Sequence, residues 1–189
     1  MSDITVKSNT ASRLTVSQIA VIGVMTAVTC ILAPMSLPIG PVPISLTNLV
    51  IYFALYVLGT AKGTISYLVY LLLGLAGLPV FSGFTSGPGK LFGPTGGYLI
   101  GFIPMAVIAG LVIEKWISKK LMCLFGMIAG TLVCYVFGTA WLAYQAGMGF
   151  QEALMAGVIP FIPGDLIKMV LAIVIGPQLR RQLKKANLS

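Results

Sequence analysis

The sequence has very few charged residues and no histidine. Only 8% of its 189 residues are Asp, Glu, Lys or Arg, whereas a typical soluble domain has about 25%. Hydrophobic residues make up 58% of the chain and recur in long runs along its whole length. Water is therefore an unfavourable surrounding for most of the surface. This composition is typical of a helical membrane protein with several spans.

Acidic side chains are especially scarce, which argues against an enzyme. The four acids are Asp3, Glu114, Glu152 and Asp165. Their positions indicate no paired carboxylates, no metal-ligand cluster and no nucleophile–base arrangement. The fragment GPGK (87–90) also fails as a phosphate-binding loop, because leucine follows the lysine where serine or threonine is required. We therefore predict a binding protein with no catalytic residues, no metal and no cofactor.

Cysteine is rare, and the basic residues form no patch. The three cysteines lie inside apolar runs, where cysteine commonly behaves as a small hydrophobic residue. The net charge of +8 could suggest a protein that binds nucleic acid. The basic residues stand at the ends of apolar runs, however, as the positive-inside rule describes for membrane proteins. We therefore predict that the chain associates with a lipid bilayer and does not bind nucleic acid.

Proline, glycine and lysine divide the apolar sequence into six segments. Residues 45–80 are too long for one span and divide at GTAKG (59–63). The approximate predicted spans are 15–39, 44–60, 63–78, 96–113, 121–145 and 158–179. The predicted fold class is therefore an all-α integral membrane protein with six transmembrane helices, in one membrane domain over residues 14–180.

The distribution of basic residues predicts an orientation. We place residues 1–13 in the cytoplasm as an N-terminal segment, and residues 181–189 as a basic cytoplasmic tail. Ten of the twelve basic residues then fall on the inner side of the cell (plasma) membrane. Only Lys90 and Lys168 fall toward the outer face.

Three irregular stretches, 37–48, 77–98 and 145–152, gather at the predicted outer face. The middle one is long and rich in glycine and aromatic residues, which is unusual for a simple connection. Glycine lets the backbone approach a ligand closely, and aromatic rings offer flat apolar contacts. A surface loop whose glycines only break helices is the alternative. This stretch taken alone does not decide between a loop that contacts a ligand and a loop that only connects helices.

The stretch FIPGDLIKMVLA (161–172) sets an acid and an amine three residues apart in an apolar run. Asp165 and Lys168 would be neighbours on one face of a helix. Ionisable groups at membrane depth cost about a few kcal/mol to insert and usually line a cavity. One hypothesis is a polar anchor for a ligand that enters from outside. The alternative is an ion pair that only holds the helix, or charges hydrated at the membrane interface. The residues expected to assist an anchor are Asn48, Tyr144 and Gln145.

Four stretches of the sequence resemble the BioY family, the biotin-specific substrate-binding (S) components of energy-coupling factor (ECF) transporters. They are GPVPISLTNL (40–49), YLLLGLAGLPVFSGF (70–84), LFGPTGGYLIGF (91–102) and FIPGDLIKMVLA (161–172). The resemblance covers about residues 15–180. It implies an S-component fold that binds biotin with high affinity from the extracellular side. It also implies a membrane coupling subunit (EcfT) and two cytoplasmic ATPase subunits as partners, so that ATP is hydrolysed by the partners.

The resemblance also implies roles for particular residues. The motif matches assign binding roles to Gly96, Gly97, Tyr98, Asp165 and Lys168. Apolar contacts to biotin are expected from Phe81, Phe92 and Tyr98, with residues 77–95 acting as a lid. The family often has glutamine where this chain has Thr47, so Asn48 is expected to serve instead. Which end of biotin meets Lys168 stays open.

Small residues on the first span suggest a surface for a partner. Gly23 and Ala27 form a small-xxx-small pair, with Ala20 nearby, and such faces allow close approach of helices. The spacing fits internal packing equally well, and the family resemblance favours the coupling subunit. Two alternative functions are an S component for another small vitamin, and a membrane scaffold or enzyme in which the Asp–Lys pair is structural.

Overall fold

Helices make up most of the structure, a computed structural model that describes residues 14–38 and 40–186. The helices are α1 Val16–Leu32, α2 Thr47–Leu58, α3 Thr60–Leu75, α4 Pro88–Leu91, α5 Gly96–Lys115, α6 Lys120–Ala146, α7 Phe150–Gly157 and α8 Ile162–Lys185. A 3-10 turn, Ile159–Phe161, joins α7 to α8. A short antiparallel hairpin of β1 (Ser36–Leu37) and β2 (Ile44–Ser45) joins α1 to α2.

Within the described residues, three helical stretches are long and apolar enough to cross a membrane. They are Gly96–Lys115, Lys120–Ala146 and Phe150–Lys185, the last of which includes α7 and α8. Three shorter apolar helices are Val16–Leu32, Thr47–Leu58 and Thr60–Leu75. The predicted helical class is therefore confirmed, and each predicted span overlaps one of these helices. The number of membrane crossings stays a prediction.

The ends of the first and last predicted spans differ from the structure. The first helix ends at Leu32 instead of continuing to residue 39, because Pro34 and Pro38 cannot donate helical hydrogen bonds and β1 pairs with β2. The last helix continues to Lys185, past the predicted end at 179. Lys184 and Lys185 lie in its final turn, where cations complement the helix dipole. Much of the predicted tail is therefore helical.

Some predictions fall outside the described residues. The predicted cytoplasmic segment 1–13 lies there in full, with Ile39 at the end of the first predicted span. The last three residues of the predicted tail, 187–189, lie there as well.

The break between α2 and α3 falls at Gly59, where the sequence predicts a turn. Gly59 has a φ of +80°, a conformation that favours glycine. A side chain there would also collide with Glu114. The Glu114 carboxylate accepts hydrogen bonds from the Thr60 backbone N–H (2.8 Å) and the Thr60 hydroxyl (2.7 Å). Glu114, at the end of α5, thus caps the start of α3.

Helices α5 and α6 pack closely as an antiparallel pair. A Cβ atom at Gly130 of α6 would lie 2.8 Å from the Met105 carbonyl oxygen of α5. Further along the pair, a Cβ atom at Gly97 would collide with the side chain of Trp141. Small residues at these positions let the two backbones approach, and this packing sets the position of the first turn of α5.

Buried tyrosines connect α2 and α3 to the rest of the bundle. The Tyr67 hydroxyl donates to the Leu99 carbonyl of α5 at 2.8 Å, and the Tyr70 hydroxyl donates to the Val80 carbonyl at 3.0 Å. The hydroxyls of Tyr52 and Thr131 lie 2.6 Å apart, which joins α2 to α6. Buried hydroxyl groups are costly unless they are hydrogen-bonded. These bonds therefore fix how the helices sit around the end of the bundle where α2, α5 and α8 begin.

Candidate binding cavity

A cavity opens at the end of the bundle where α2, α5 and α8 begin. The hairpin residues and the middle of α6 complete its wall. Apolar side chains of the lining include Val42, Leu99, Phe102 and Phe161, and polar ones include Ser45, Thr47, Asn48, Tyr98, Tyr135, Asp165 and Lys168. A mostly apolar depression with a few placed polar groups is the usual form of a small-molecule site.

The open part of the cavity is large and its enclosed part is small. The empty space is about 650 Å³ when the open solvent at the mouth is included. The cavity volume proper is only about 60 Å³, well below the range of about 300–1,000 Å³ for ligand pockets.

Asp165 is the centre of the polar network in the cavity. Its Oδ1 atom accepts hydrogen bonds from Asn48 Nδ2 at 2.8 Å and from Lys168 Nζ at 2.9 Å. Its Oδ2 atom accepts one from the Tyr135 hydroxyl at 2.6 Å. Asp165 lies in the first turn of α8, where the helix dipole also favours a negative charge. The carboxylate is therefore held in position by side chains from three helices.

Lys168 completes the network and keeps a donor free. Both charged side chains are buried, with 6% of Asp165 and 7% of Lys168 exposed. Lys168 Nζ donates to Asp165 and, at 2.7 Å, to the backbone carbonyl of Ser45. An ammonium group has three donors, so one remains for a ligand. The Asp165 Oδ2 atom, with a single donor in the described structure, likewise keeps capacity to accept.

Tyr98 brings a further polar group to the cavity. The side chain is buried, and its hydroxyl has no hydrogen-bond partner among the described residues. The ring packs against Gly138 of α6 and the hydroxyl reaches Gly157 at the end of α7, so that a side chain at either glycine would collide with it. The phenol is therefore held in place by packing.

The structure brings four of the ten predicted binding residues into the cavity lining: Asn48, Tyr98, Asp165 and Lys168. It places the other six outside the lining, and these are Phe81, Phe92, Gly96, Gly97, Tyr144 and Gln145. Two of the six, Gly96 and Gly97, act in packing. A Cβ atom at Gly96 would collide with the Leu91 carbonyl, and one at Gly97 with Trp141. They thus position Tyr98 without lining the cavity themselves.

The glycine-rich loop 77–95 includes two of these residues, Phe81 and Phe92, and a third, Gln145 of α6, bonds to it. Phe81 is fully buried and packs edge-on against Tyr70, with 5.7 Å between ring centroids. The side chain of Gln145 donates to the Phe92 carbonyl at 3.1 Å, and Trp141 Nε1 donates to the Gly93 carbonyl at 2.9 Å. The loop is therefore attached both to α3 and to the end of α6.

Tyr144 is 84% exposed on the outside of α6. It follows Tyr135, which lines the cavity, by nine residues. At about 3.6 residues per turn, nine residues correspond to two and a half turns, so the two tyrosines lie on opposite faces of the helix. The sequence interpretation chose the tyrosine near the helix end, whereas the cavity contains the one in the middle.

The cavity residues that the interpretation missed carry a recognisable pattern. Thr131, Cys134 and Tyr135 stand at positions i, i+3 and i+4 of α6 and line the cavity together. A tyrosine and a threonine on one face of an apolar span could have predicted a polar wall of the cavity from the sequence. The contribution of Ser45 is a backbone carbonyl, for which side-chain patterns give no signal.

A buried ion pair in a partly apolar cavity, within a bundle of apolar helices, is typical of a membrane protein that binds a small molecule. The model of the BioY family matches residues 6–185. The chain belongs to the BioY family.

Named relatives and a solved structure agree with this assignment. The chain is 40% identical over 159 residues to "Biotin transporter BioY" of Thermotoga maritima, covering 84% of this chain and 93% of that one. It is 40% identical over 154 residues to "Biotin transporter BioY" of Rhizobium etli, covering 77% and 82%. A crystal structure of the S-component for biotin from an ECF-type ABC transporter superposes with a TM-score of 0.81 at 34% identity, covering 88% of this chain and 92% of that one. The chain therefore has the fold of that S-component.

Proposed function

We propose that this protein binds biotin and is the substrate-specific subunit of an ATP-driven ECF vitamin importer. Membership of the BioY family and the relatives named as biotin transporters support the substrate. The observation that carries the proposal at the level of chemistry is the buried Asp165–Lys168 pair, which keeps hydrogen-bonding capacity inside an apolar-walled cavity. The protein is thus a transport subunit and not an enzyme.

The groups of biotin match this cavity. Biotin has two ureido N–H donors, a ureido oxygen, an apolar bicycle and a carboxylate tail. Asp165 Oδ2 can accept from a ureido N–H. The free donor of Lys168 can serve either the ureido oxygen or the carboxylate. Charge-assisted hydrogen bonds of this kind contribute about 1.5–3 kcal/mol each, and the bicycle would bury apolar surface against Phe102 and Phe161.

Loop 77–95 acts as a lid in this proposal. The cavity volume of about 60 Å³ is well below the range of about 300–1,000 Å³ for ligand pockets, so a bicyclic vitamin with its tail does not fit without movement. Ser82 and Thr95, near the two ends of the loop, belong to the cavity lining. Movement of the loop would therefore open the site. Phe84, at its exposed tip, has a φ of +56°, an uncommon conformation for a bulky residue.

The cavity faces the extracellular side in this proposal, and both termini are cytoplasmic. Arg180, Lys184 and Lys62 stand where α8 ends and α3 begins. The cavity lies at the opposite end of the bundle, where α2, α5 and α8 begin. Under the positive-inside rule the basic end is cytoplasmic, so six crossings would leave the cavity open to the outside.

The coupling subunit docks on α1 in this proposal, and two ATPase subunits supply energy through it. Ala20, Gly23 and Ala27 are all exposed on α1, and a Cβ atom at Gly23 would meet nothing in the described structure. The other face of α1 is used internally, since the Thr26 hydroxyl lies 3.0 Å from the Ser66 hydroxyl of α3. This division favours a partner surface over internal packing.

Equilibrium binding of biotin to the purified protein, with thiamine and riboflavin in parallel, tests the function. Of the three vitamins, we expect only biotin to bind tightly. Asp165→Asn and Lys168→Ala should each weaken binding by at least tenfold, because each removes a charge-assisted contact worth about 1.5–3 kcal/mol. Glu152→Gln is the matched control, since that acid is exposed and lies outside the cavity.

Two results would contradict the proposal. Tighter binding of thiamine or riboflavin would favour an S component for another vitamin. Unchanged biotin affinity in both variants, together with a lower unfolding temperature, would favour an ion pair with a purely structural role.

A further inference from the structure

A second polar cleft lies at the end of the bundle opposite the cavity. It is bordered by the first turn of α1, the break between α2 and α3, and the ends of α5 and α8. Its charged and polar lining residues are Gln18, Lys62, Glu114, Arg180 and Lys184. The cleft has a volume of about 150 Å³, which is enough for a phosphate group.

The cleft holds more positive than negative charge. Three cations and one carboxylate leave a formal net charge of +2. Both oxygens of the Glu114 carboxylate already accept hydrogen bonds from Thr60. In the described part of the chain the only ion pair is Asp165–Lys168. The cations of the cleft therefore have no charged partner there.

Arg180 is the group that most clearly lacks a partner. Its Nη1 atom is buried and makes no hydrogen bond in the described structure. Gly176, one turn earlier on α8, packs against Tyr56 near the end of α2, and Val57 and Leu58 of that helix line the cleft together with Arg180. Lys184 follows one turn later on the same face. A buried guanidinium donor without a partner is costly, and an anion in the cleft would remove that cost.

We propose that this cleft binds the phosphate headgroup of an anionic phospholipid. Exposed apolar side chains are sequence neighbours of two cleft residues: Ile19 follows Gln18 and is 55% exposed, and Leu179 precedes Arg180 and is 38% exposed. Acyl chains can lie on these side chains while the headgroup enters the cleft. Basic pockets between helices at the cytoplasmic side of membrane proteins have the chemistry for this. Under the proposed topology the lipid belongs to the inner leaflet.

Native mass spectrometry of the full chain, equilibrated with equal amounts of phosphatidylglycerol and phosphatidylcholine, tests the proposal. We expect phosphatidylglycerol to be retained in preference. Arg180→Gln with Lys184→Gln should weaken its retention by at least tenfold, because these two side chains would supply the charge-assisted hydrogen bonds to the phosphate. Lys119→Gln with Lys120→Gln is the matched control. It removes the same charge at the same end of the bundle but outside the cleft lining, so retention should hardly change.

Three outcomes would overturn the assignment. Equal losses in the two double variants would indicate general attraction to basic residues without a site. Equal retention of both lipids by the unsubstituted protein would indicate no headgroup recognition. Binding of inorganic phosphate alone, lost in Arg180→Gln with Lys184→Gln, would indicate a site for a soluble anion. Circular dichroism of each variant verifies that the helices are intact.

Discussion

Asp165 receives hydrogen bonds from Asn48 on α2, Tyr135 on α6 and Lys168 on α8. A buried pair of charges is expensive to form, and removing one partner leaves the other uncompensated, at a cost of about 3–5 kcal/mol. The pair thus serves structure and ligand together in our interpretation. It holds three helices at the cavity and presents a free donor and acceptor to biotin.

Tyr135→Phe separates these two roles. The variant keeps the ring but removes the 2.6 Å hydrogen bond to Asp165. Hydrogen bonds to charged groups are worth about 1.5–3 kcal/mol, so we expect the free energy of unfolding to fall by that amount. Biotin affinity should fall less than in Asp165→Asn, because the carboxylate remains. Thermal unfolding and isothermal titration calorimetry measure the two effects.

The control for this variant is Tyr144→Phe, which changes a hydroxyl on the same helix at an 84% exposed position. It should alter neither quantity. If Tyr135→Phe were as stable as the unsubstituted protein, the hydrogen bond would contribute nothing to holding the cavity.

The elements position the cavity mainly through the close packing of α5 on α6. Gly97 permits this packing beside Trp141, and the next residue, Tyr98, lines the cavity. Trp141 and Gln145 of α6 in turn hold the carbonyls of loop 77–95. Side chains near the end of α6 thus fix the position of both the first turn of α5 and loop 77–95.

Gly97→Ala tests whether this glycine acts by packing or by touching the ligand. The added methyl group collides with Trp141, and overpacking costs about 1–3 kcal/mol. We expect a lower unfolding temperature already in the absence of biotin, with weaker biotin binding. A variant that unfolds at the original temperature but fails to bind would instead place Gly97 at the ligand. Gly89→Ala is the control, because a Cβ atom there meets nothing in the described structure.

At the scale of the whole molecule, the three surfaces to which we assign functions lie in different parts of the bundle. The cavity lies at one end, the basic cleft at the other, and an exposed stripe of small residues runs along α1. Because the cavity shares no residues with the cleft or the stripe, substitutions at either of those surfaces should leave substrate binding intact. This separation suits a subunit that binds its substrate alone and is energised by partners.

Gly23→Trp with Ala27→Trp should abolish biotin transport by the complete ECF complex and leave biotin binding by the isolated subunit unchanged. The indole rings would keep a partner helix from approaching α1 closely. Val174→Trp, on the exposed face of α8, is the control and should retain transport. Co-purification with the coupling subunit, transport assays and binding assays measure these outcomes. Lost binding with intact assembly would contradict the role assigned to α1.

Several features could be predicted from the sequence because they depend on composition and on local spacing. The helical membrane class follows from long apolar runs, and the motifs GPTGGYLIGF and IPGDLIK indicate the family, which is confirmed. The pairing of Asp165 with Lys168 follows from their spacing on one helix. These properties need no knowledge of how distant segments pack.

The tertiary structure alone decided which side chains face the cavity. Tyr135 points inward and Tyr144 outward because contacts of α6 with α5 and α8 set its rotation, and helical spacing by itself leaves that rotation undetermined. The same holds for Gly97, whose neighbour Trp141 is 44 residues away along the chain. Contacts between residues so far apart depend on how the whole bundle packs. They therefore cannot be predicted from the sequence of any single stretch.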